Sequence, residues 1–245
     1  MNRQAQGVVL LLLGGAVLKA SLTDMYLRYV KESLQPFLIA AGALLVVAAL
    51  MTIYHDLRKS DHEEHDHGHD HGHEKHHEPR VGWMLIAPVL GLLLVAPPAL
   101  GAFAAGQSGS AKLQEADLYP PLPEGDPAKI SVLDYATRAI FDKGVSMKDG
   151  AGKDRKVQIS GFISQGPDGK QVLTRMMLSC CAADARAIKV GMTGRPPEGL
   201  SENQWVEVVG IYTATTAKDP VSNNDIPFID VLEWKPIEPP RNQYE

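Results

Sequence analysis

Histidine is absent beyond His77 in this chain of 245 residues; all nine lie between His55 and His77. That absence excludes a Ser-His-Asp or Cys-His catalytic group from the C-terminal half, because both need an imidazole beside the nucleophile. Cysteine is nearly missing as well. The only two, Cys180 and Cys181, are adjacent, which is not the spacing of a disulfide framework or a four-cysteine zinc site. A basic excess is also lacking: 24 Lys and Arg stand against 29 Asp and Glu, for a net charge of -5. Neither half is basic, so phosphate neutralisation has no clustered cations and a nucleic-acid partner is not expected.

Charge is missing from three long stretches near the N-terminus. Gly7 to Leu22 is broken only by Lys19, whose ammonium can reach a membrane interface. Gln35 to Tyr54 and Val81 to Ala105 carry no charge at all. A hydrocarbon core of about 30 Å takes about twenty apolar residues, so all three read as membrane spans. A cleaved signal is disfavoured for the first, because Leu18-Lys19-Ala20 is a poor small-x-small site. The three-span reading makes residues 1–105 a transmembrane domain, with a charged loop at 55–80. Arg3, Arg58, Lys59, Lys75 and Arg80 then outnumber Arg28, Lys31 and Lys112 on the other side. The positive-inside bias accordingly predicts a multi-pass cell-membrane protein with a cytoplasmic N-terminus and loop, and an extracytoplasmic C-terminal domain.

The loop holds what the rest of the chain lacks. His62, His65, His67, His69, His71, His73, His76 and His77 alternate with Asp, Glu and Gly. Neutral imidazole and carboxylate suit zinc, nickel or cobalt, and Gly68 and Gly72 allow the backbone to fold round an ion. A solvated low-complexity linker has the same composition.

Residues 106–129, with Pro120, Pro121, Pro123 and Pro127, read as a linker. Residues 130–245 then form a separate domain. Val132, Leu133, Ala136, Ala139 and Ile140 predict a helix over Ser131–Lys143, capped by Ser131 and stopped by Gly144. Strands are predicted over Lys156–Ile163, Gln171–Cys180, Arg186–Met192, Trp205–Thr213 and Pro227–Trp234. One helix followed by five strands fits a small all-β, OB-like barrel, with Gly161 and Gly210 at its sharp bends; a sandwich is the alternative. Strand alternation places Cys180 with Val172, Thr174, Met176 and Leu178 on a buried face, and Cys181 with Arg175 on a wet one. Cys181, beside Asp184, is then the candidate for thiol or soft-metal chemistry, and Asp184 is also a natural turn former. Trp205, Tyr212 and Trp234 are expected to pack in the core or rim rather than stack on bases.

The third apolar run's Ala87-Pro88-Val89-Leu90-Gly91 and Ala96-Pro97-Pro98-Ala99-Leu100, the strand Ile159-Ser160-Gly161-Phe162, and above all Leu178-Ser179-Cys180-Cys181-Ala182-Ala183-Asp184-Ala185 resemble the DUF1980 family of bacterial membrane proteins, described as permease subunits. The resemblance covers nearly the whole chain. It implies a two-part protein acting beside a separately encoded multispanning permease. A span set with only Lys19 charged offers no polar pathway of its own. The expectation is therefore a non-enzymatic accessory subunit of a permease, concerned with zinc-class metals through its histidine loop. The alternative is an outward-facing thiol redox or copper-handling protein centred on Cys180 and Cys181.

Overall fold

Mostly apolar residues run through the N-terminal part of the chain, and period-two alternation dominates after residue 156. The structure follows that division. It is a computed structural model describing residues 3–60 and 98–245, which fall into two compact units.

The first unit takes in Met1–Tyr26 and Glu32–Pro98. Helix α1 spans Arg3–Leu22 and α2 spans Gln35–Ser60. They lie antiparallel, with Gly14 against Val46 and Gly42 against Leu18, so that each backbone approaches its neighbour where a Cβ would collide. Gln35 Nε2 donates to Ser21 O at 3.0 Å and ties the two ends. The hydroxyls of Ser21 and Thr52 donate to carbonyls four residues back, so neither needs water.

Three membrane spans are not supported. Among the described residues, one helix is long and apolar enough to cross a membrane, Glu32–His55 with 24 residues. Its Phe37, Leu44, Val47, Leu50 and Met51 are exposed. The apolar part of α1, Gln6–Leu22, is shorter than the roughly twenty residues of an ordinary span. The third run does not end as a span. Its last residues enter a seven-residue helix, α3 (Ala102–Ser108), whose Ala102 and Ala105 are buried against Phe162, Met176 and Trp205. Val81 to Pro97 lie outside the described residues. Without three crossings, the charge comparison no longer assigns sides.

The second unit comprises Leu27–Lys31 and Ala99–Glu245. A two-residue strand β1 (Ala128–Lys129) and helix α4 (Val132–Ile140) precede five long strands. These are β2 (Val157–Gln165), β3 (Gln171–Met177), β4 (Arg186–Gly194), β5 (Trp205–Lys218) and β6 (Asp225–Pro236). The order β2-β3-β4-β6-β5 closes through β2–β5 into a barrel, in which only β4–β6 is parallel. This is a closed five-stranded barrel, as expected for the C-terminal part. Gly161 and Gly210 mark its tight bends: a Cβ there would stand 2.6 Å from Thr174 O and 2.5 Å from Asp230 O.

Ile159, Leu173, Ile188, Val190, Val206, Val208 and Ile229 fill the interior, with Val132, Tyr135 and Ala136 of α4 packed on the same core. Ser131 caps α4 by accepting from Asp134 N at 2.9 Å. The stretch read as a linker runs along the barrel. Ala111 N donates to Ala187 O at 2.7 Å, and Leu122 is buried in the core.

Candidate functional site

Strand β3 ends at Met177, three residues before Cys180, and this overturns the expected burial. Cys180 is exposed, and Cys181 is half-buried. The cause is the side chain of Asp184. Its Oδ1 accepts from Ser179 N at 3.0 Å and its Oδ2 from Cys180 N at 2.8 Å. These bonds take up N–H groups that a continuing strand would have paired and turn the chain out of the sheet. A short 3-10 turn, Ala182–Asp184, completes the loop and leads into β4. Arg175, expected on a wet face, is also buried. Its guanidinium lies 4.8 Å from the centre of the Trp205 ring, and Nη2 donates to Asn242 O at 2.9 Å. Trp205 is buried beside Phe162, with ring centres 5.7 Å apart.

The turn brings three donor groups together. One ligand atom each of Cys180, Cys181 and Asp184 lies within 4.8 Å of the others. Hydrogen bonds with Asp184 and then Cys181 push the Cys180 thiol up to about 11. The same thiol contact, together with the backbone N–H groups, holds the Asp184 carboxyl below the usual range despite some burial. A thiol held this high is a weak nucleophile near neutrality, because the thiolate is the reactive form. As ligands, two sulfurs and a carboxylate suit a thiophilic ion with a fourth position open.

Two distant segments hold the loop from behind. Val30 pairs with Cys181 in an antiparallel bridge. Lys31 N donates to Cys180 O at 3.1 Å, and Ala182 N to Tyr29 O at 2.7 Å. The C-terminal residues form the second brace. Leu178 N donates to Glu245 O at 3.0 Å, and Glu245 N to Met176 O at 2.9 Å. The Glu245 carboxylate accepts from Val132 N and Leu133 N, capping α4. Tyr244 Oη donates to Arg28 O and accepts from Leu100 N, each at 2.9 Å. Neither brace carries a local sequence signal.

The family models bear on this arrangement. The DUF1980 N-terminal domain matches residues 5–110, and the DUF1980 C-terminal domain matches residues 146–245. The chain belongs to the DUF1980 family. No curated protein and no solved structure matches it. The loop of this DUF1980 protein lies in the C-terminal match, and the Tyr29–Lys31 segment that pairs with it lies in the N-terminal match. The eight loop histidines, His62 to His77, lie outside the described residues; His55 is described and exposed.

A second polar cluster went unread in the sequence. Asp219, just past β5, accepts from Lys189 Nζ at 2.9 Å and Ser110 Oγ at 2.8 Å. Val221 N and Ser222 N add two further bonds. Burial would raise the Asp219 pKa, but these partners outweigh it and hold the carboxyl well below its ordinary range. Lys189 and Asp219 are almost completely enclosed, which marks a structural clamp on the chain at Ser110.

Proposed function

We propose that this DUF1980 protein is a non-enzymatic, membrane-anchored accessory subunit of a permease that handles transition-metal ions. The Cys180–Cys181–Asp184 loop is its site on the barrel. The observation that carries the reading is the convergence of two thiols and a carboxylate on a loop bonded to Lys31, the residue before the apolar helix Glu32–His55. That arrangement joins a metal-binding surface to the membrane anchor. The histidine loop supplies further zinc-class ligands close by in sequence and acts by multiplicity rather than by one preorganised geometry.

The soft-metal role is favoured over thiol redox chemistry by the donor set. Asp184 is an oxygen ligand in place, and its hydrogen bond to the Cys180 thiol favours the thiol over the thiolate that redox chemistry needs. The test has two parts. Native membranes solubilised in mild detergent should yield a multispanning permease with this chain, identified by mass spectrometry. Metal bound by the full chain should drop by one ion in the Cys180→Ser/Cys181→Ser variant. Isolation without a permease, or unchanged metal content in that variant, would contradict the proposal.

A further inference from the structure

The Tyr29–Lys31 segment touches the metal loop through its backbone, on both sides of Cys181. Lys31 N reaches Cys180 O, and Ala182 N reaches Tyr29 O, with Val30 directly opposite Cys181 between them. In an antiparallel pair this bond pattern makes Val30 and Cys181 a non-hydrogen-bonded pair, the position where opposed side chains stand closest. The atoms that orient the ligand residues are therefore the atoms that hold the segment.

We infer that metal occupancy of the Cys180–Cys181–Asp184 loop is coupled to docking of the Tyr29–Lys31 segment, so that a bound thiophilic ion tightens the hold on the chain entering the apolar helix. This rests on the metal reading of the site. Ligation fixes the conformations of Cys180, Cys181 and Asp184 together. Cys180 and Ala183 are exposed, and the loop's backbone bonds outside itself at Cys180 O and Ala182 N both go to the segment. Ordering the loop therefore carries a cost that the ion and the segment would otherwise each meet separately. Whichever binds first lowers that cost for the other, and the coupling must act equally in both directions. The site thereby reports its occupancy to the residues leading into Glu32–His55.

Hydrogen exchange read by mass spectrometry on the full chain in detergent tests this, with Zn(II) and Cu(I) as separate probes. Either ion that binds in a Cys181-dependent way should slow exchange of the Lys31 and Ala182 amides at least about fivefold, the low end of typical coupling. The slowing should vanish in Cys181→Ser. Reciprocally, Lys31→Pro, which removes the donor to Cys180 O, should weaken metal affinity about fivefold or more without abolishing binding. Val30→Gly keeps both backbone donors but loosens the segment by removing its β-branched side chain, so it should weaken metal affinity in the same direction and gives a second reading should the proline variant misfold. Cys181-dependent binding with unchanged exchange at Lys31 would overturn the coupling and leave the metal site standing. Slowing that persists in Cys181→Ser would also overturn it, by assigning the effect to other ligands. Absence of any Cys181-dependent binding would remove the site reading itself.

Discussion

Asp219 and the two cysteines show opposite uses of polar chemistry at the scale of single residues. Asp219 is enclosed and multiply bonded, so Asp219→Ala strands the Lys189 ammonium in the protein. The expected cost is about 3–5 kcal/mol, the usual result of removing one partner of a buried pair. The sign of the pH effect follows from the lowered folded pKa. The contribution is complete above the ordinary carboxylate value of about 3.9 and is lost as pH falls through the depressed folded value. Thermal melts of the full chain should therefore show stability falling below about pH 4, with a shallower fall in Asp219→Asn. An equally steep fall in that variant would place the acid sensitivity elsewhere. Cys180 and Cys181 have no comparable structural duty. Each Ser substitution should change stability by about 0.5 kcal/mol or less, as for positions outside the core, while removing a proposed metal ligand. A loss of several kcal/mol at Cys180 would restore the buried assignment that its exposure contradicts.

Elements were legible where their signal was local. Alternation revealed all five barrel strands, because a half-buried strand must place apolar residues at every second position. Ser131 marked the start of α4 through capping, a property of residue type, but the expected stop at Gly144 was late. The helix ends at Ile140, and Gly144, with a left-handed φ of 75°, opens the short 3-10 turn Val145–Met147. The end of β3 was not legible. Leu178-Ser179-Cys180 continues the alternation, and only the bonds from Asp184 divert it. The C-terminal brace was equally silent, since Tyr244 and Glu245 act on residues far away in sequence. The brace yields a prediction at this scale. Tyr244→Phe removes an acceptor from Leu100 N and a donor from Arg28 O, so denaturant unfolding should show a loss of about 1–3 kcal/mol. Glu245→Ala should cost about 1 kcal/mol by uncapping α4, a typical value for a lost cap. A neutral result for both would mean that the tail rests on the barrel without holding it.

For the whole molecule, hydropathy separated an apolar N-terminal part from a barrel but overcounted the spans. The uncharged run from Val81 to Ala105 resembles a span by composition, yet its last residues enter a small helix that packs on the barrel. Composition cannot distinguish apolar residues that face lipid from those that face protein. The site was half visible. Cys180, Cys181 and Asp184 stood out as a string, whereas their pairing with Val30 joins residues too distant for any periodicity to reveal. On the proposed metal reading, the histidine loop and the cysteine loop make separable contributions. Deleting Asp61–Glu78 from the full chain should remove most bound zinc in equilibrium dialysis and leave about one ion, as expected of a single three-ligand site. No loss on deletion would mean that the histidines bind nothing under these conditions.

X-ray absorption on that loop-deleted chain, loaded with one equivalent of Zn(II), reads the ligands of the remaining ion directly. Two sulfur scatterers at about 2.3 Å with lighter oxygen neighbours are expected, with loss of the sulfur signal in Cys180→Ser/Cys181→Ser. A first shell of nitrogen and oxygen alone in the chain with both cysteines intact would contradict the proposed site.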